Sequence, residues 1–143
     1  MTLTELVENT YQSSLGLEDK PSKETCNLLK HIRLQITADK YNRSIEELLD
    51  SHVARILERN IEDLKLYLFH ESTETVDSAN IRISVLESMI PQKLTEEELT
   101  TEMRNINTMN PNITLSEMYI QLDHLYFDFS LIDPILQTLK QTV

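Results

Sequence analysis

The sequence contains very little glycine and cysteine, and it has no tryptophan. Its 143 residues include one glycine and one cysteine. Phosphate-binding loops and dinucleotide fingerprints need several glycines within a short span, so both are excluded. Hairpin turns also depend on glycine for positive φ, which argues against an all-β fold. With a single cysteine, the chain has neither an internal disulfide nor a cysteine-rich metal site.

Basic residues are also scarce. The chain has 13 lysine and arginine residues against 24 acidic residues, which gives a net charge of −11. A surface that wraps nucleic acid or coats an anionic membrane needs clustered cations, so this balance opposes both. The longest apolar runs are four residues, such as 66–69, and the N-terminal segment lacks the stretches typical of a signal peptide. We therefore expect a cytoplasmic protein without a membrane partner.

Helix-start motifs recur along the chain and indicate an all-α fold. Capping boxes, in which a hydroxyl group caps the amide three residues on and a glutamate reaches back, begin at Ser44, Thr95 and Thr114. Proline just inside a helix marks two further starts, at Pro21 and Pro134. Apolar residues at helical spacing follow each start. The predicted helices cover residues 20–39, 44–70, 76–90, 95–107, 114–124 and 131–142.

The two helices over 44–70 and 76–90 are predicted to form a long antiparallel hairpin, joined by a polar loop at 71–74. Pro91 ends the second of them, because the residue before a proline avoids the α region. We therefore predict a helical N-terminal domain over 1–91 with the long hairpin, and a small three-helix C-terminal domain over 92–143. The apolar stripe of the first hairpin helix consists of Ile45, Leu49, Val53, Ile56, Asn60, Leu64 and Leu68.

Residues 83–99 carry a motif that points to a family. They read ISVLESMIPQKLTEEEL, in which a helix ends at proline and a glutamine–lysine pair precedes an acidic capping box. This segment closely resembles the signature of the YqeY-like (GatB/YqeY) family, and the length and helix order also match. The resemblance implies a fold similar to the tail of the B subunit of the glutamine-dependent tRNA amidotransferase. That tail contacts the tRNA body and carries none of the amidation chemistry.

The resemblance implies a non-catalytic, tRNA-associated accessory factor that needs no cofactor. Stand-alone members share the label of carbon–nitrogen ligase with glutamine as amido donor by similarity alone. Arg55 and Arg59 lie four residues apart and so share a helix face. Ion pairing with acidic neighbours such as Glu58, Glu62 and Asp63 is the favoured role for these cations, and RNA binding is the alternative. The candidate RNA-binding residues, called the basic set below, are Lys30, Arg33, Arg55 and Arg59.

The small domain departs from the family pattern. A Gly-Lys-x-Met-Lys-like start is usual for its middle helix, whereas residues 116–120 read SEMYI, and residues 95–143 hold two basic against eight acidic residues. This charge favours an alternative function, an acidic protein-binding adaptor that has lost RNA binding and takes a partner with a basic surface. On charge the two hypotheses are nearly level, and the resemblance favours tRNA.

Aromatic residues are concentrated in the same domain. A cluster of this kind fills the core of a small bundle, but a partly exposed one with an acidic rim suits a protein partner. The candidate protein-binding residues are Tyr119, Tyr126, Phe127 and Phe129.

No set of residues indicates catalysis or a metal. The histidines lie on different segments without the helical spacing of a zinc hydrolase, so we expect solvated or capping roles. Cys26 lies on an apolar stripe, which predicts burial rather than nucleophilic chemistry. The acidic run at 96–98 is explained by helix capping and the helix dipole. An amide-transferring enzyme is therefore the weakest of the three hypotheses. The four histidines are His31, His52, His70 and His124.

Overall fold

The computed structural model describes residues 1–68 and 73–141, without the side chains of 73–75. These residues form α-helices and no strand, which confirms the all-α prediction. The chain divides into two compact units, Met1–Ile90 and Pro91–Val143, called here the N-terminal unit and the C-terminal unit. The helices are α1 (Leu3–Ser14), α2 (Lys20–Arg43), α3 (Asp50–Tyr67), α4 (Thr73–Met89), α5 (Glu96–Met109), α6 (Leu115–Gln121) and α7 (Ile132–Gln141), and a short 3-10 helix covers Phe129–Leu131.

Side-chain caps define the first helix starts. The Thr2 hydroxyl accepts a hydrogen bond from the Glu5 amide at 3.1 Å, and the Asp19 carboxylate accepts one from the Ser22 amide at 3.1 Å. Each bond satisfies an amide that has no partner inside its helix. The single glycine, Gly16, follows α1 with a φ of 78°, a conformation that costs other residues energy.

The prediction that a long helix begins at residue 44 is wrong. Ser44 does not open a capping box but ends α2, in a left-handed conformation with φ 56°. Its amide donates to the Tyr41 carbonyl at 3.1 Å, and the amide of Ile45 donates to the Lys40 carbonyl at 3.2 Å. This is the Schellman arrangement that closes a helix. Consequently α2 continues past Asp39 to Arg43 and α3 begins only at Asp50.

The core of the N-terminal unit also differs from the predicted stripe. The side chains of Ile45 and Leu49 are exposed, whereas Leu57 and Ile61 on α3 are buried. The predicted stripe does not include Leu57 and Ile61, because it runs along one edge of the buried face of α3 instead of along the middle of that face. Cys26 is half-buried rather than buried, which corrects that prediction. The fully buried core residues among those described in this unit are Val7, Leu29, Ile32, Val53, Ala54, Leu57 and Leu86.

Helix α3 packs against α4 in the N-terminal unit, and α2 packs against α1 and α4. The polar loop predicted at 71–74 lies partly outside the described residues, and 73 and 74 already belong to α4. The amide of Leu3 donates to the Asp50 carboxylate at 2.8 Å, so α1 and α3 are joined where both begin.

Two capping boxes organise the C-terminal unit. Thr95 caps the Glu98 amide at 3.1 Å, and the Glu98 carboxylate accepts from the Thr95 amide at 2.9 Å. Thr114 and Glu117 repeat the pattern at the start of α6. The amide of Leu94 donates to the Tyr126 carbonyl at 2.9 Å, which ties the entry of α5 to the loop before α7. The core behind these caps consists of Leu99, Met103, Ile113, Met118, Leu122, Phe127, Ile132, Ile135, Leu136 and Leu139.

Candidate interaction surfaces

Arg33, a member of the basic set, is engaged inside the N-terminal unit. Its Nε donates to Glu8 Oε2 at 2.7 Å and its Nη2 donates to Glu8 Oε1 at 3.2 Å. The guanidinium also lies 4.1 Å from the centre of the Tyr11 ring. Hydrogen bonds from Gln12 and then from Arg33 lower the pKa of Glu8, so its carboxylate stays ionised at neutral pH. The guanidinium of Arg33 therefore joins α2 to α1.

The other members of the basic set differ in their surroundings. Lys30 and Arg59 are exposed, and neither has an ion pair within the described part of the chain. Arg55 is half-buried and makes contacts within the protein. Two cations of the set are thus presented to solvent, one on α2 and one on α3.

The contact between α2 and α3 shows how the basic set is divided. Asn60 Nδ2 donates to Gln35 Oε1 at 2.8 Å, so the side of α2 that carries Gln35 faces α3. Residues two apart on a helix point to nearly opposite sides, because each residue turns the helix by about 100°. Arg33 therefore points away from α3, toward α1. The four cations do not form one continuous surface.

The four aromatic candidates of the C-terminal unit separate into two pairs. Tyr126 and Phe127 are buried, with exposures of 8% and 2%, and Phe127 belongs to the core. Tyr119 and Phe129 are 37% and 39% exposed, and their ring centres lie 5.7 Å apart. Phe129 also meets Phe127 edge to face, with ring centres 5.0 Å apart. The core thus supports two aromatic rings that remain at the surface.

Two aliphatic residues of α6 extend this surface. Leu115 lies four residues before Tyr119 and so shares its helix face, and Ile120 is 73% exposed. We call the exposed set Leu115, Tyr119, Ile120 and Phe129 the aromatic patch. Isolated exposed apolar residues are ordinary, but a group of large ones on one short helix and the segment after it is a candidate interaction surface.

A fixed negative charge borders the aromatic patch. Asp128 precedes Phe129, and its carboxylate accepts hydrogen bonds from the Ser130 hydroxyl at 2.8 Å and the Ser130 amide at 3.0 Å. These bonds lower the pKa of Asp128, so the group is ionised at neutral pH. Glu117 on α6 adds a second exposed carboxylate. Asp128 and Glu117 thus place two carboxylates near the patch, and the charge of Lys93 is close enough to Asp128 to help lower its pKa.

The three described histidines and Cys26 do not form a site that could hold a metal ion. His52 is buried, and its Nδ1 accepts the Leu49 amide at 3.3 Å, which is the capping role expected of a histidine. His31 and His124 are exposed on different units, and His70 lies outside the described residues. Among residues 1–68 and 73–141, no group of three His, Cys, Asp or Glu side chains is placed to hold a metal ion.

A groove runs between α2, α3 and α4 within the N-terminal unit. Its volume is about 660 Å³. On one wall Arg82 Nε donates to Glu24 Oε2 at 2.7 Å, so an ion pair links α4 to α2. Burial raises the pKa of Glu24, but hydrogen bonds from Arg82 and Ser78 outweigh it and the pKa is lowered. The sequence alone does not reveal this pair, because its partners are 58 residues apart.

No family model and no curated protein matches the chain. Within the residues that the structure describes, no helix has the length and apolar character needed to cross a bilayer. The candidate functional features of the chain are therefore the three that its structure presents: the divided basic set, the aromatic patch and the α2–α4 groove.

Proposed function

We propose that the chain is a non-catalytic helical binding protein of the YqeY-like type, which binds a protein partner through the aromatic patch. In this proposal α3 and α4 form the long antiparallel hairpin of the N-terminal domain, and the C-terminal three-helix domain carries the binding surface. The partner has a basic surface, and binding takes place in the cytoplasm. Exposure of Tyr119 and Phe129 beside a closed core is the observation that carries the proposal.

The arrangement of the patch supports binding rather than packing. Aromatic side chains bury a large area at low entropic cost and are enriched where proteins bind tightly. Tyr119 and Phe129 are held by ring contacts to each other and to Phe127, so little side-chain freedom is lost on binding. Because these side chains are already ordered, less of the free energy gained by burying them is offset by lost conformational entropy.

The charge around the patch supports a basic partner. Residues 95–143 contain two basic and eight acidic residues, and the ionised Asp128 adjoins Phe129. Opposite charges at the rim of an interface raise the association rate and discourage wrong partners. We therefore expect association to slow as salt rises, while apolar contacts hold the complex once it has formed.

The test is affinity capture from a lysate of the source cells at about 50 and 200 mM salt, a range over which surface charges become screened. We expect the same protein to be captured by the wild type and lost with Ile120→Ser combined with Tyr119→Ser. Both residues are surface positions, so circular dichroism should show an unchanged helix content. A photo-crosslinking residue at position 120 should join the chain to that same protein.

Tyr41→Ser provides the matched control. Tyr41 is an aromatic residue on α2 and is 84% exposed, more than any member of the patch. If capture depends on general stickiness, Tyr41→Ser should reduce it as much as the patch variant does. Equal capture by the wild type and the patch variant would contradict the proposal.

A tRNA-associated role is the second candidate, and the exposed cations Lys30 and Arg59 favour it together with the resemblance of residues 83–99. Its test is a fluorescence titration of total tRNA at the same two salt concentrations, because phosphate-driven binding falls steeply over this range. Binding should weaken in Arg59→Gln and persist in Arg43→Gln, whose guanidinium is held by Asp39 at 3.2 Å. No binding at low salt would exclude this role.

The non-catalytic part of the proposal has its own test. Purified protein incubated with glutamine should release no ammonia above the uncatalysed rate, with or without ATP and tRNA. Ammonia release that depends on the protein would revive the hypothesis of an amide-transferring enzyme.

A further inference from the structure

The α2–α4 groove of the N-terminal unit has the dimensions of a ligand site. Its volume of about 660 Å³ lies within the range of roughly 300–1,000 Å³ that is typical of small-molecule sites. Such sites occur between the helices of bundles, and they combine an apolar lining with a few polar groups that orient the ligand.

The lining of the groove combines both elements. Leu28 on α2 and Ala79 on α4 are buried apolar residues that line it. The Glu24–Arg82 ion pair forms a polar wall, with side chains 18% and 33% exposed.

Helix α3, which also lines the groove, contributes one further carboxylate. Asp63 on α3 lines the groove and is exposed, and within the described ranges of the chain its carboxylate has no ion pair or hydrogen bond. Glu24 forms an ion pair with Arg82, whereas the Asp63 carboxylate has no cationic partner among the described residues. His31 also lines the groove, and the charge of Lys20 acts on Glu24. Beside Asp63, Asn60 Nδ2 is occupied by the carbonyl of Ile56 and the side chain of Gln35.

We propose that the α2–α4 groove binds a small organic cation, a protonated primary amine carried on an aliphatic chain. The ammonium group is bound by the Asp63 carboxylate, and the aliphatic chain covers Leu28 and Ala79 between the helices. A charge-assisted hydrogen bond provides the orientation, and apolar burial provides the remaining affinity. This inference is independent of the proposed function, because the aromatic patch belongs to the other unit.

The test is a titration of the full chain with n-hexylamine, observed through carbon-labelled methyl groups by NMR. At a pH of about 8 the amine remains protonated, because an alkylammonium group titrates in the same range as lysine. We expect saturable shifts of the methyl signals of Leu28, Leu64 and Ala79, which line the groove. Methyl signals of the C-terminal core, such as those of Leu99 and Ile132, should not move.

Two comparisons define the chemistry of the site. n-Hexanol and hexanoate have the same chain with a neutral or negative head group, and they should bind at least about tenfold more weakly, since one charge-assisted hydrogen bond is worth about that factor. Asp63→Asn should raise the Kd for n-hexylamine by about tenfold. Glu62→Gln removes a neighbouring exposed carboxylate that does not line the groove, and it should leave the Kd unchanged.

Three results would overturn the inference. The first is the absence of saturable shifts at the groove methyls in a protein whose spectrum shows it to be folded. The second is equal binding of n-hexanol and n-hexylamine, which would assign an apolar site without a preference for cations. The third is an equal loss of affinity in Asp63→Asn and Glu62→Gln. That result would mean that the overall negative charge of the chain, and not a contact with Asp63, attracts the amine.

Discussion

The two units use their polar side chains in different ways. In the N-terminal unit these groups join helices that are far apart in sequence: Arg33 with Glu8 is separated by 25 residues and Arg82 with Glu24 by 58. In the C-terminal unit Thr95 with Glu98 and Thr114 with Glu117 are each separated by three residues. Polar groups therefore mainly connect helices in the first unit and begin helices in the second.

The two units also differ in the candidate surface that each presents. The core of the C-terminal unit consists of apolar residues, and the aromatic patch lies outside that core. Ion pairs between helices hold a polar wall in the N-terminal unit, and a groove remains beside it. The proposed protein-binding surface lies in one unit and the proposed ligand groove lies in the other.

The largest expected effects come from the apolar cores, where the units should behave alike. Leu57→Ala in the N-terminal unit and Leu99→Ala in the C-terminal unit each remove a side chain with 0% exposure. Each should lower the free energy of unfolding by about 2–5 kcal/mol, because transfer energy is lost and a cavity is left. Urea unfolding followed by circular dichroism measures the loss. A loss below about 1 kcal/mol in only one of them would mean that the two cores differ in packing.

Glu24→Gln tests a polar link between helices. Arg82 is left without its charged partner in a partly buried place, and the expected loss is about 1–3 kcal/mol at neutral pH. The folded-state pKa of Glu24 is lowered from 4.5, so its contribution is present above that pH and is lost as the pH falls through the lowered value. The difference in unfolding free energy between wild type and variant should therefore shrink below pH 4.5. A difference that does not change with pH would contradict the role of the charge.

Thr95→Ala tests a local cap for comparison. It removes the acceptor of the Glu98 amide, and the expected loss is about 1 kcal/mol. Hydrogen bonds from the Thr95 amide and the Thr95 side chain lower the pKa of Glu98, and the variant should raise it toward 4.5. NMR titration of the Glu98 carboxyl measures the shift. Thr100→Ala removes a hydroxyl from the same helix, where it bonds only to the Glu96 carbonyl, and should leave that pKa unchanged.

The smallest expected effect is a gain in stability at the end of α2. Ser44 is in the left-handed region, where a residue with a side chain pays about 1 kcal/mol. Ser44→Gly removes this strain but adds freedom to the unfolded chain, so the net gain should be about 0.5 kcal/mol. Gly16→Ala makes the reverse change at the other positive φ and should destabilise the protein. Thermal unfolding of both variants measures whether each change raises or lowers stability. A loss of stability in Ser44→Gly would contradict the assignment of Ser44 as the end of α2.

The two units were also unequally predictable. In the C-terminal unit the predicted helices begin within one residue of those in the structure, because Thr95, Thr114 and Pro134 act on their immediate neighbours. In the N-terminal unit the same capping logic failed at Ser44. That residue satisfies the sequence pattern of a helix start, but the preceding helix α2 extends to it and uses it as an end.

The candidate sites show the same division. Four neighbouring aromatic residues could be identified from the sequence, but which two of them face solvent depends on the packing of Phe127 into the core. The basic set could be identified too, yet the partner of Arg33 is Glu8 on another helix and not an acidic residue nearby in the chain. The family relationship and the tRNA-associated role remain predictions.

The sequence by itself determined that this protein is helical and acidic, and that it has no glycine-rich phosphate loop, internal disulfide or cysteine-rich metal site. These properties depend on composition and on motifs a few residues long, and local backbone and charge effects act over that distance. Tertiary structure alone decided which cations are paired, which aromatic rings are exposed and where a groove remains between helices. Each of these depends on contacts between residues tens of positions apart, and such contacts arise only when the helices pack.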